Sequence, residues 1–112
     1  MKTFLKSATI LSVNDYQNNE KVFLGKFIFG IVAKDETNRF SADQRVITST
    51  IKSQDQSEYI TKSGNTYFTS DEPKKFDISF VEYVVMRHRL HSPDEILEMR
   101  QTLKLTDDRI MH

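Results

Sequence analysis

The chain has 112 residues, and its 16 Lys and Arg balance its 16 Asp and Glu, so the formal net charge is zero. Binders of nucleic acid or anionic membranes carry an excess of basic residues, so we expect neither partner. Cysteine is absent, which excludes disulfides, Cys-type zinc sites and a thiol nucleophile. The length predicts a single soluble domain over 1–112. The missing disulfides and the lack of a long apolar run favour the cytoplasm.

The first part of the chain, 1–70, predicts a β-rich region. Thr3–Val13 mixes β-branched and aromatic residues and predicts a strand that ends in a turn at Asn14-Asp15 and Asn18-Asn19. Lys21–Lys34 is apolar on both alternating faces, which is typical of a strand covered on both sides.

Further strands are expected after a polar loop over Asp35–Gln44. Arg45–Ser53 is rich in Thr, Val and Ile and predicts a strand. Glu58–Lys62 and Thr66–Ser70 flank Ser63-Gly64-Asn65, a compact hairpin signal in which Gly64 or Asn65 can take positive φ.

The region 77–104 changes to helical periodicity. Asp71-Glu72-Pro73 is expected to end the sheet, because proline cannot donate to a strand ladder. Asp77 is the predicted N-cap of a first helix. Its stripe comprises Ile78, Phe80, Val81, Val84 and Val85. Because valine is a poor helix former, a strand is the alternative for Val84 and Val85.

A second helix is predicted from Ser92-Pro93-Asp94-Glu95. This segment combines an N-cap serine, a proline at the first helical position and a capping-box glutamate. Ile96, Met99 and Leu103 then share one face.

The search for chemistry finds no catalytic motif. There is no Gly-x-Ser-x-Gly elbow, and three glycines cannot form a Gly-rich phosphate loop. The carboxylate pairs fall in predicted loops and helix ends, where solvated turn and cap residues are expected. His88 and His91 stand beside arginines, which disfavours a divalent cation, so no metal site and no cofactor are predicted. His112 is terminal and is expected to be mobile.

Four cations form the candidate anion-binding set: Arg39, Arg45, Arg87 and His88. The alternative for Arg87 and His88 is that they favourably face the negative end of a helix dipole. A functional site would require two of the four to converge in a concave pocket with a buried carboxylate.

Three motifs carry a resemblance to a known group of proteins. They are Arg39-Phe40 in a loop, Thr48-Ser49-x-Ile51 in a strand and Thr61-x-Ser63-Gly64-x-x-Tyr67 in a hairpin. This pattern resembles small uncharacterised bacterial proteins, often carried on mobile elements such as integron gene cassettes. Ser92-Pro93-Asp94-Glu95 fits their Ser-Pro-x-Glu helix, whereas Asp43-Gln44 replaces their usual Gly-Asp. The resemblance implies a fold and a bacterial origin, but no assigned activity.

These observations predict an α+β fold. We expect a curved antiparallel sheet of about five strands, or a partly closed small barrel, followed by two C-terminal helices. The expected function is a noncatalytic module that binds another protein or itself. A two-fold homodimer is favoured, because apolar residues on both faces of one strand (Val22, Phe23, Leu24, Phe27, Ile28 and Phe29) exceed what two short helices can cover. The alternative is a small-molecule or anion-binding enzyme that uses the four cations.

Overall fold

The fold is α+β, with a mostly antiparallel sheet followed by two helices. The computed structural model describes residues 1–110, with side chains for residues 1–102. The elements are β1 (Lys2–Gln17), β2 (Glu20–Asp35), β3 (Arg45–Ile47), β4 (Ile51–Asp55), β5 (Glu58–Thr61), β6 (Thr66–Thr69), β7 (Lys74–Ser79), α1 (Phe80–Arg89) and α2 (Pro93–Ile110).

A long antiparallel hairpin of β1 and β2 forms the centre of the sheet. The chain turns at Asn18 and Asn19, whose φ angles of 54° and 68° are both positive. Two consecutive positive φ values match the two-residue turn that suits the twist of a hairpin, and asparagine tolerates them well. The strand passes straight through Asn14-Asp15, so the turn predicted there is wrong.

The strand order is β3-β2-β1-β6-β5-β4, and β7 also pairs with β1. The edge of β1 that faces away from β2 is shared by two parallel partners: Lys2–Leu5 pairs with β6, and Thr9–Asn14 pairs with β7. Between them β1 carries a bulge in which Ser7 has a φ of 52°. The bulge therefore marks the place where β1 exchanges one partner for the other.

The prediction of about five strands is wrong, because residues 1–110 form seven, and the sheet is not closed into a barrel. The predicted strand at Arg45–Ser53 divides in two, since β3 pairs with β2 whereas β4 pairs with β5. The segment Lys74–Ser79, for which no strand was predicted, forms β7.

Two apolar cores lie against the β1–β2 hairpin. The strand core is made by residues of the sheet alone: Leu5, Ala8, Ile10, Ile28, Val32, Val46, Tyr59 and Tyr67. The helix-covered core contains Leu11, Val13, Phe29, Ile78, Met86 and Ile96. Because Ile28 and Phe29 are adjacent in β2 but belong to different cores, the strand is covered on both faces there, as predicted.

Each helix begins at a serine with a capping box. Ser79, not the predicted Asp77, caps α1: its hydroxyl accepts from the Glu82 N–H at 3.1 Å, and its own N–H donates to Glu82 Oε1 at 3.0 Å. The predicted cap at Ser92 is confirmed, with the equivalent contacts to Glu95 at 3.2 Å and 3.3 Å. The Leu103 side chain and His112 lie outside the described residues.

The predicted hairpin at Ser63-Gly64-Asn65 is confirmed. Gly64 has a φ of +86°, and its N–H donates to the Thr61 carbonyl at 2.9 Å. The turn also joins two of the sequence motifs, because the Ser49 and Ser63 hydroxyls lie 2.9 Å apart. The Ser63 hydroxyl also lies 3.3 Å from Thr61 Oγ1. Hydrogen bonds among these motif residues therefore connect the hairpin to the segment before β4.

Candidate functional site

The four predicted anion-binding residues do not share a hydrogen-bond partner. Arg39 remains in the loop after β2, where its Nε donates to Thr37 Oγ1 at 2.9 Å and its guanidinium stands 4.7 Å from the centre of the Phe40 ring. Asp35 orders that loop by accepting hydrogen bonds from Thr37 and from the Phe40 N–H. Although burial alone would raise the pKa of Asp35, these bonds hold it well below its usual value.

Arg45 and Arg87 both connect the C-terminal end of α1 to the sheet. Arg45 Nη1 donates to the Leu90 carbonyl at 3.2 Å and to Glu95 Oε1 at 2.5 Å. Arg87 Nη1 donates to the Thr48 carbonyl at 3.4 Å. These contacts give both arginines a structural role in docking the helix.

His88 is exposed near the end of α1, and Arg87, His88 and Arg89 occupy its last turn. The negative end of the helix dipole favours positive charge at this position. This agrees with the dipole interpretation of Arg87 and His88 given above. The structure therefore does not gather the four cations into one site, and anion binding by any of them stays a prediction.

An apolar surface that faces solvent is the first candidate site. We call it the α1 face; it consists of Phe80, Val81, Val84 and Val85, which are 43%, 69%, 49% and 39% exposed. The helix packs on the core through its other side, where Met86 is completely buried and Tyr83 lies against Phe27 with ring centres 4.5 Å apart. The predicted stripe was therefore wrong for Ile78, which lies in β7 and is buried in the helix-covered core, and its other four residues face away from the core.

A cleft of about 770 Å³ is the second candidate site. It lies between the β1 bulge, the start of β7 and the first turns of α2. Its apolar lining includes Leu5, Ala8, Phe29, Ile31, Phe76 and Leu97. Charged residues from the segment 71–75 and from α2 border it, and of the four predicted cations it contains Arg45. Its volume is within the range of small-molecule sites.

A smaller cavity of about 390 Å³ lies on the other side of the 70–73 connection, beside Tyr59, Gln54 and Lys26. Burial raises the pKa of Tyr59, and the nearby Glu72 carboxylate acts in the same direction. Thr69 and Glu72 belong to the walls of both cavities, so the connection is a partition between them.

Sequence reasoning missed the cleft, because its lining comes from segments that are distant along the chain. One signal was present: Asp71, Glu72, Lys74 and Lys75 flank Pro73 as two pairs of charged residues. The first pair was predicted only as part of the end of the sheet.

The described residues hold no group of three or more His, Asp or Glu side chains placed to bind a metal ion. Neither α1 nor α2, over the described part of the chain, is long and apolar enough to cross a membrane.

None of the protein-family models, curated proteins or solved structures compared with this chain matches it. The function therefore has to be inferred from the chain's own geometry.

Proposed function

We propose that this protein is a noncatalytic interaction module that forms a two-fold homodimer through the α1 face. One observation carries the proposal: four large apolar side chains lie side by side on one short helix and face solvent. Scattered exposed apolar residues are ordinary, but a contiguous patch is typical of an interaction surface.

The composition of the α1 face supports this interpretation. Val81, Val84 and Val85 are β-branched, and such residues lose side-chain freedom in a helix while their burial in the single chain is only partial. A partner that covers them would supply the missing burial. Polar residues with higher helix propensity would serve better at these positions if the face were only a solvated surface.

The charges at the two ends of α1 favour a second copy as the partner. Asp77 precedes the helix, whereas the basic residues Arg87, His88 and Arg89 follow in its last turn. A two-fold axis between Val84 and Val85 would pack two copies of α1 antiparallel. The acidic start of each helix would then meet the basic end of the other. The zero net charge adds no overall repulsion between copies.

The first test is the mass in solution, measured by light scattering after size-exclusion chromatography at micromolar concentration. We expect twice the chain mass of 13.1 kDa. Val84→Glu should give a monomer with an unchanged circular dichroism spectrum, because Val84 is exposed and its replacement leaves the core intact. A wild-type mass of one chain at every tested concentration would refute the proposal.

A matched control separates this surface from the other exposed apolar site. Phe23 and Leu24 near the hairpin tip are 57% and 42% exposed, so Phe23→Glu places the same charge on an equivalent residue away from α1. We expect Phe23→Glu to remain a dimer. If it dissociates while Val84→Glu does not, the interface lies on β2 and the α1 assignment is wrong.

A charge reversal tests the antiparallel arrangement. Arg89→Asp should weaken the dimer, and adding Asp77→Arg to the same chain should restore it, because each exchanged charge would again face its opposite across the axis. A double variant no tighter than the single one would exclude this orientation of the helices.

A further inference from the structure

The cleft between the β1 bulge and α2 has the construction of a ligand site and is independent of the proposed dimer interface. Its floor is apolar, with Phe29 and Ile31 from β2 and Phe76 from β7. Leu97 of α2 lies at the same cleft and remains 42% exposed. An apolar group bound here would cover Leu97 and contact the floor at the same time.

Charges of both signs border this apolar floor. Asp71, Glu72, Lys74 and Lys75 line the cleft, and none of them takes part in an ion pair with a described residue. Lys74 lies on the same face of β7 as Phe76, so its ammonium group borders the apolar floor, and Asp71 and Glu72 precede it in the chain. A ligand with adjacent positive and negative groups matches this arrangement, because each group finds an opposite charge.

We propose that the cleft binds a free α-amino acid with a large apolar side chain. The ammonium group faces Asp71 and Glu72, the carboxylate faces Lys74, and the side chain lies on Phe29, Ile31 and Leu97. An inorganic anion is a poorer match, because Asp71, Glu72 and Asp94 at the same cleft would repel it. A purely apolar molecule would leave the border charges without partners.

The test is a titration of the ¹⁵N-labelled full chain with L-phenylalanine, followed by amide chemical shifts. We expect saturable shifts confined to residues 7–9, 69–76 and 92–97. Phenethylamine lacks the carboxylate and 3-phenylpropionate lacks the ammonium group, so each should bind at least about tenfold more weakly. Glycine, which keeps both charges but has no side chain, should be weaker as well.

Variants assign the contacts. Lys74→Gln should weaken L-phenylalanine but leave phenethylamine unchanged, and Glu72→Gln should weaken L-phenylalanine but leave 3-phenylpropionate unchanged. Lys52→Gln, an exposed change on β4 outside the cleft, is the matched control and should bind as the wild type does. The proposal is overturned if L-phenylalanine causes no saturable shifts up to its solubility limit. It is equally overturned if both single-charge analogues bind as tightly, since an apolar cavity alone would then explain the binding.

Discussion

The two cores are closed in different ways. The strand core is enclosed by the sheet packing on itself, with Tyr59 and Tyr67 meeting Ile28 and Val46. The helix-covered core depends on two helices. Among the described residues, each helix contributes one fully buried side chain, Met86 from α1 and Ile96 from α2. A layer attached by few buried contacts opens at lower free energy than the sheet beneath it, so the helical layer is expected to be the less stable of the two.

The largest expected effects come from removing one side chain from each core. Ile28→Ala and Met86→Ala should each lower the free energy of unfolding by about 2–5 kcal/mol, because both residues are completely buried. They should differ in how the loss is distributed. Met86→Ala should accelerate amide hydrogen exchange chiefly in α1 and α2, whereas Ile28→Ala should accelerate it throughout the sheet.

Urea unfolding measures the total loss, and hydrogen exchange resolved by residue measures its distribution. The exposed change Phe23→Ala on β2, outside the α1 face, is the control for a truncation without burial and should have little effect. Uniform acceleration over the whole chain in Met86→Ala would show that the two cores unfold as one unit.

The two capping boxes give the next largest effect. Ser79→Ala and Ser92→Ala should each reduce stability by about 0.5–2 kcal/mol through loss of the hydroxyl acceptor. We expect losses of similar size, because both box glutamates also accept from an arginine, Glu82 from Arg100 Nη2 at 2.7 Å and Glu95 from Arg45 Nη1 at 2.5 Å. Thermal unfolding would measure this, with Ser79→Thr and Ser92→Thr as variants that keep a capping hydroxyl. A neutral Ser79→Ala would contradict the importance of this cap for the helical layer.

The turn at Gly64 between β5 and β6 allows a corresponding test in the strand region. Gly64→Ala should cost about 1 kcal/mol, because alanine resists the positive φ at this turn. No atom lies within 4 Å of an added Cβ, so the loss would come from the backbone conformation alone. Gly64→Asn is the control, since asparagine tolerates this region and should recover part of the stability. Equal melting temperatures for Gly64→Ala and the wild type would mean that the turn relaxes freely.

The smallest effect is a dependence on pH that the helical layer should show. The His91 and Arg45 hydrogen bonds lower the pKa of Glu95 from its usual 4.5 to about 2, and the Arg100 hydrogen bond lowers the pKa of Glu82. Since protonation is harder in the folded state, the stabilisation is present above pH 4.5 and is lost as the pH falls towards 2. High salt should weaken it, because Glu95 is at the surface.

Glu95→Gln should flatten the dependence of unfolding free energy on pH between 4.5 and 2, measured by urea titrations at successive pH values. Glu98→Gln, an exposed change on the same helix, should leave the dependence as it is in the wild type. Identical slopes for Glu95→Gln and the wild type would show that this ion pair adds nothing to stability.

Local signals explain which parts of the fold could be predicted. The Ser92 cap and the Gly64 turn depend on residues within a few positions of one another, and both were predicted correctly. The strand β7 was missed because Pro73 signals an end to strands, and because Asp77 and Ile78 also fit a helix start. What makes Lys74–Ser79 a strand is its pairing with β1, which no local pattern reveals.

The same reasoning applies to the candidate sites. The apolar character of Phe80, Val81, Val84 and Val85 was evident from the sequence, but which side of α1 faces the core depends on how Tyr83 and Met86 pack. The candidate cations Arg39 and Arg87 were chosen for their charge. Arg39 instead donates to Thr37 in its own loop, and Arg87 donates to the Thr48 carbonyl just after β3. The spacing of residues along the sequence does not encode such contacts.

The partner exchange along β1 also has a consequence for how the chain is made. The strand β1 leaves the ribosome before its parallel neighbours, which come from Thr66–Thr69 and Lys74–Ser79. Until those residues emerge, that edge of the nascent hairpin is an uncovered ladder next to the apolar side chains of Leu5 and Leu11. Pairings so distant along the chain slow folding and prolong the exposure of such edges to other chains. β1 is therefore synthesised before every strand that pairs with it and is among the last strands to be completed.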